Sequence, residues 1–313
     1  MKTDPFEGLI FKPDSNAAVK SILDDLSGTV DETFNYGTQV LNWCAEKATD
    51  KPEDLPLIMM LRHTLELVGA ISILVRESCI VPADILLRSL FETLLQAEFL
   101  LEKDTAHRGL CFAVWQIHDE LAWLEISDET TPTGKEFRRK IKRDRLAAKM
   151  AVPSLSDAAD RIASLKATLD STKYQQVETG YKATRKDKKR KPTWYSLSGG
   201  PPNIEQLAQR LGYEGCYSLL YRSWSGTTHG TDILKGKVIP TQEGGAGIVP
   251  LRIPEGVEQT VTFAIVFALH LYRLYIRHYV PSREDGFREW CKSTVRQSYL
   301  RAATTKQINI TLR

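Results

Sequence analysis

Cysteine is scarce in this chain, and what there is does not cluster. Cys44, Cys79, Cys111, Cys216 and Cys291 stand far apart, with no C-x-x-C step and no histidine at finger-like spacing. That excludes a zinc knuckle and a disulfide-stapled scaffold, and no metal site is expected. A glycine-rich phosphate loop, a dinucleotide-binding glycine pattern and a Gly-x-Ser-x-Gly elbow are all missing. P-loop nucleotide hydrolysis, Rossmann-type redox chemistry and the α/β-hydrolase route are therefore set aside, and no cofactor is expected. The first residues, MKTDPFEGLIFKPDSN, do not run from positive to apolar as a signal peptide does, and the apolar runs near 57–75 and 85–101 are interrupted by Arg62, Glu66, Arg88 and Glu92. The expectation is a cytoplasmic protein with no membrane segment.

The 313 residues are 42% hydrophobic and 26% charged, the balance of an ordinary soluble globular protein with room for a substantial core. Apolar positions recur at helical spacing almost throughout. Residues 15–48 carry Val19, Ile22, Leu23, Leu26, Val30, Phe34, Val40, Leu41 and Trp43, with a break expected near Gly37. A long apolar helix to about 78 and a second over about 83–103 are joined so tightly that they read as an antiparallel hairpin. Helices follow over about 105–126, 135–150 and 155–180. The stretch 182–203 reads as a basic loop stopped by glycine and proline, and short helices begin at Asn203 and Glu214. Residues 236–256, rich in Gly, Pro and β-branched side chains, suit an irregular segment or a small β-hairpin, with its prolines restricted to edges. A strongly apolar helix from Val257 to about Val280 and a short one around 283–300 complete the chain. The reading is an all-α multi-helix bundle built on the long hairpin, with an N-terminal helical segment 1–50, a core 51–280 and a C-terminal helix and tail 281–313.

Positive charge is concentrated rather than abundant: the formal net charge is only +3. One cluster spans Lys135 to Arg145 and includes Arg138, Arg139, Lys142 and Arg143; the other spans Lys182 to Lys191 and includes Lys188, Lys189 and Arg190. Such clusters attract polyanions by releasing counterions from phosphates, without sequence choice, which makes RNA the expected partner. They equally suit a solvated helix face and a loop.

The segment Tyr221-Arg-Ser-Trp-Ser-Gly-Thr-Thr-His-Gly230 places a permanent cation, Arg222, seven residues from a near-neutral proton-transfer group, His229. Histidine can take a proton from a ribose hydroxyl or give one to a leaving oxygen, while arginine neutralises charge on the phosphate, so the pair could cleave RNA without a metal. Tyr221 and Ser225 are supporting candidates. On the second hairpin helix, Arg88, Glu92 and Gln96 recur every four residues and share one stripe with Leu and Phe around them. Arg88 with Glu92, and Arg62 with Glu66, are expected to form ion pairs. The stripe is read either as an internal network that fixes helix register or as the far wall of the site, with Arg88 binding phosphate and Glu92 orienting Arg88 or His229. His63 reads as a core residue, and His107 and His118 as solvent-facing. His270, Arg273, Arg277 and His278 make a basic stripe that lines a cavity or faces water.

Three separated motifs, Leu86-Leu-Arg88-Ser-Leu-Phe-Glu92, Trp194-Tyr-Ser, and Leu219-Leu-Tyr221-Arg222 through His229-Gly230, together resemble a bacterial family of domain of unknown function 5677, over about residues 50–280. More distantly, an arginine followed by a histidine near a helix end is similar to the motif of the HEPN superfamily, compact helical proteins that often act as metal-independent ribonucleases. That resemblance implies Arg222 and His229 as catalytic residues, a homodimer, and a role in toxin–antitoxin or phage-defence systems with a partner protein. Ser223 stands where those ribonucleases often carry Asn, Asp or His, and Gly226 interrupts the helix that holds their motif. The alternative is a non-enzymatic sensor or RNA- or protein-binding module whose Arg/Glu/His cluster is structural or holds a ligand.

Overall fold

The computed structural model describes residues 3–150, 155–187, 191–221, 224, 226, 230, 234, 236–240 and 245–304. Among the described residues the chain is all-α apart from one small hairpin, and it divides into two compact units, residues 1–103 with 207–313, and residues 104–206. The first takes in both the N-terminal segment 1–50 and the C-terminal segment 281–313; the basic stretch 182–203, expected to be a loop, belongs to the second, and its residues through Asp187 are helical instead.

Four long helices make the first unit: α1 (Ala17–Lys47), α2 (Asp54–Arg76), α3 (Ile80–Glu102) and, much later in the chain, α10 (Val257–Tyr279). Asn16 starts α1 by accepting from the backbone N–H groups of Ala18 and Val19, both at 3.2 Å. The helix then runs unbroken through Gly37, where a break was expected. A β-carbon there would lie 2.1 Å from the Tyr272 hydroxyl oxygen and 2.5 Å from Leu65 Cδ2, so the glycine serves close packing of α1 against α2 and α10. Successive contacts set the helix directions. Gly37 with Leu65, Gly69 with Phe34 and Ser72 with Ser27 show α1 and α2 antiparallel. The expected α2–α3 hairpin is present, its turn made by Glu77, Ser78 and Cys79. Asp84 with Thr260, Phe91 with Phe267 and Glu98 with His270 ascend together, so α3 and α10 are parallel. Only α2 opposes its three neighbours.

The shared core is aliphatic and aromatic, with Leu23, Leu57, Ile71, Leu87, Phe91, Leu94, Tyr272 and Tyr275 fully buried. Helices α2 and α10 are long and apolar enough to cross a membrane, and about half of each apolar stretch is buried within the bundle; core helices share these properties. Two short helices follow α10: α11 (Glu284–Trp290) and α12 (Arg296–Thr304), joined by a π-helical turn, Cys291–Val295. The expected hairpin near 236–256 forms from β1 (Val238–Pro240) and β2 (Ala246–Ile248), antiparallel, with Pro240 opposite Ala246.

The second unit is built on α4 (Thr105–Ser127), against which α5 (Pro132–Arg143), α6 (Ala158–Asp170) and α7 (Gln175–Asp187) pack. The single helix expected over 155–180 is two. Asp170-Ser-Thr supplies groups that compete for backbone bonds, and Ser171 Oγ donates to the Thr168 carbonyl at 2.7 Å where α6 ends. His118, expected at the surface, is instead stacked 3.9 Å from Tyr181 and bonded at 2.7 Å to Glu178, whose side chain is 5% exposed. Trp194, the first residue of the Trp-Tyr-Ser motif, is buried against Phe112.

Candidate functional site

The polar stripe of α3 faces inward on one long line, where its charged members find partners. Asp84, one turn before Arg88, accepts from the Thr260 hydroxyl at 2.8 Å, and burial pushes its carboxyl upward against that bond. Arg88 Nε donates to Glu92 Oε1 at 3.1 Å, while Nη2 donates to the Tyr221 hydroxyl at 2.7 Å. Tyr221 in turn donates to the same glutamate oxygen at 2.9 Å. The guanidinium carbon also lies 4.5 Å from the Tyr221 ring centroid. With side-chain exposures of 19% for Arg88 and 33% for Glu92, the trio is screened from water on most sides but not sealed.

Tyr221 arrives at this stripe on a π-helical turn, Tyr217–Tyr221, that continues the three-residue helix α9 (Glu214–Cys216). Helix α8 (Ile204–Arg210), begun by Asn203, precedes it. Burial, reinforced by the Glu92 charge, raises the Tyr221 phenol to about 12, with Arg88 opposing. It is thus a neutral hydrogen-bond donor at physiological pH, suited to positioning rather than to proton abstraction. Trp224 is buried and meets Phe263 and Phe267 of α10 edge-on, at centroid distances of 6.2 and 6.4 Å. Tyr221 and Trp224 are thus each held in place. Arg222, Ser225 and His229 themselves lie outside the described residues.

A second cluster joins α3 to α10 one to two turns further on. The Tyr213 hydroxyl donates to Glu98 Oε2 at 2.7 Å and lies 2.9 Å from His270 Nε2, which is itself 3.1 Å from that glutamate oxygen. Burial first, then the Glu98 bond and charge, hold the phenol well above its ordinary range. His270 thus belongs with a carboxylate and a phenol, whereas its neighbours Arg273 and Arg277 turn to Glu284. His63, expected in the core, is exposed beside Glu66 and the Arg62 pair, because α2 leaves that stripe uncovered. Sequence reasoning missed Glu98 and Tyr213. Glu98 falls off the four-residue stripe, and the available signal was the aromatic directly after Gly212, which takes φ +82° at the end of α8.

The basic candidates separate by environment. Arg138 donates to the Ser127 carbonyl at 2.9 Å and so caps the end of α4, while Arg139 pairs with Glu136. Lys142 and Arg143 lie at the end of α5, both exposed. Lys188, Lys189 and Arg190 lie outside the described residues. Among the described residues no group of three His, Cys, Asp or Glu side chains is placed to hold a metal ion. Two surface cavities, about 370 Å³ beside Phe6 and Pro250 and about 330 Å³ beside Val266 and Val295, are not lined by Arg88, Glu92 or Tyr221.

No curated protein and no solved structure matches the chain significantly. The model of one family of unknown function, DUF5677, matches residues 54–245, more than half the chain, and takes in all of α2 and α3 and the Trp-Tyr-Ser and Tyr221–Gly230 motifs; the chain belongs to that family.

Proposed function

We propose that the protein is a helical, metal-independent ribonuclease of HEPN-like type, acting in the cytoplasm as a toxin or phage-defence effector. In this reading it is a homodimer and is restrained by a partner protein. His229 acts as general acid or base, and Arg222 stabilises the phosphate as it is cleaved. The observation that carries the reading is the double anchoring of the chain around Arg222: Tyr221 is held by Arg88 and Glu92, and Trp224 is buried against α10. A catalytic arginine needs a rigid base, and the fixed places of Tyr221 and Trp224 on either side of it in sequence support that reading. Arg88 and Glu92 then act as positioning residues through Tyr221, not as phosphate ligands. The test is digestion of total RNA by the pure protein in EDTA. Wild type is expected to cleave, and His229→Ala and Arg222→Ala to lose at least about a hundredfold in rate; equal persistence of RNA with all three proteins rejects the chemistry.

A second reading, a sensor or binding module in which the cluster is structural, draws on how fully Arg88, Glu92 and Tyr221 engage one another. Thermal unfolding separates the two. Arg88→Ala is expected to cost about 1–3 kcal/mol in either case, since it removes the charged partner of Glu92 and leaves only the Tyr221–Glu92 bond. A loss of that size on His229→Ala, with RNA untouched, selects the structural reading.

A further inference from the structure

Helix α10 is apolar on more than the side it buries. Val261, Ala264, Ala268, Leu271 and Tyr272 face the bundle, while Thr262, Val266 and Leu269 recur at i, i+4 and i+7 on another side. Val266 is 52% exposed there. Opposite them stand Cys291, Val295 and Tyr299, again four residues apart, on the π-helical turn and α12. The two rows wall a groove of about 330 Å³. A 2.7 Å hydrogen bond between the Tyr299 and Thr262 hydroxyls closes one end.

The rim of this groove is cationic. Lys292 and Arg296 line it with exposed side chains and make no ion pair with any described residue. Past Leu269, one turn further along α10, comes Arg273. Arg273, Arg277 and Arg288 all donate to a single oxygen of Glu284, and Arg288 also lies 3.9 Å from Asp285, which leaves one positive charge uncompensated in that cluster. An apolar floor at helical spacing between two helices is the surface that a third helix completes by ridges-into-grooves packing. A positive rim along its length selects acidic flanks on that helix.

We propose that the groove between α10 and the C-terminal helices docks an acidic amphipathic helix of a partner protein, independently of whether the protein cleaves RNA. The probe is a fluorescein-labelled helical peptide of about 18 residues with leucines at i, i+3, i+4 and i+7 and glutamates beside them. Two controls carry lysine in place of glutamate, or the same residues scrambled. Anisotropy with the full chain is expected to show saturable micromolar binding, about tenfold tighter for the acidic peptide than for either control. Val266→Asp should abolish it, and the doubly exposed pair Lys292→Glu with Arg296→Glu should weaken it about tenfold while leaving the fold intact by circular dichroism. The second variant decides the matter if the first does not fold. Equal binding of the three peptides overturns the proposal, as does indifference to the charge-reversed pair. So does light scattering that shows a dimer converted to monomer by Val266→Asp, which assigns the groove to a second copy, or variant-sensitive binding to anionic vesicles without peptide binding, which assigns it to a membrane.

Discussion

A single methyl group decides how closely α1 can approach α10. Alanine at position 37 would set its β-carbon against the Tyr272 ring and hydroxyl and against Leu65, in a fully buried place where neither neighbour is a loose chain end. Gly37→Ala is expected to lower stability by about 1–3 kcal/mol despite the better helix propensity of alanine, read as a fall in melting temperature. Tyr272 itself holds a buried hydroxyl with no hydrogen-bond partner among the described residues. Tyr272→Phe should therefore be neutral or stabilising by up to about 1 kcal/mol, and a loss of that size would show that the hydroxyl is satisfied after all. This residue pair also shows where reading the sequence stops. Gly37 looks like a helix breaker along the chain, because its reason lies 235 positions away. Arg88 and Glu92 were legible as a pair because their spacing alone puts them on one stripe. Glu98, Tyr213 and His270 were not, since nothing local ties three such distant positions together.

At the scale of elements, the end of α10 is tied to the start of α11 through one carboxylate. Partial burial disfavours the charged form of Glu284, but hydrogen bonds from Arg277, Arg288 and Arg273 outweigh it and hold the group at about 2, against an ordinary 4.5. A depressed carboxyl pKa contributes stability that is present above 4.5 and is lost as pH falls toward 2. Glu284→Gln should accordingly flatten the acid limb of stability between those values, and denaturant titrations at about pH 6, 4 and 2.5 check it. An unchanged acid limb would mean that the three arginines exert no net hold. The helices themselves were largely visible from apolar periodicity. Their ends were less so: the Ser-Thr stop after α6 carries no glycine or proline, and it acts through hydroxyl-to-carbonyl bonds that periodicity does not register.

Charge is divided unequally over the whole molecule. Residues 104–206 hold 19 Lys and Arg against 14 Asp and Glu, a surplus of five, so the remaining residues, with 23 against 25, are short by two. The uneven placement was legible in the chain, but the unit that carries it was not, because its limit at 103 is one helix junction among several and its limit at 207 falls inside a short helix. If RNA is the partner, the second unit should supply most of the attraction. Binding of a single-stranded RNA should weaken linearly in log–log salt titrations. Changing Lys142, Arg143, Lys188, Lys189 and Arg190 to glutamine should reduce that slope by about 0.7 for each phosphate no longer neutralised. A slope unaffected by the five changes would put the RNA on another surface.

The direction of α10 carries a consequence for biosynthesis. Because it lies parallel to α3 and is reached only after more than 150 intervening residues, no hairpin can deliver it to its seat between α1 and α3. A nascent chain that has completed α1, α2 and α3 still shows solvent the apolar faces around Leu87, Phe91 and Leu94 that α10 will cover. Loop closure of that length is slow compared with helix formation, and exposed apolar surface during the wait invites aggregation. The first unit is thus begun early in translation and finished late, with the whole of residues 104–206 emerging in between.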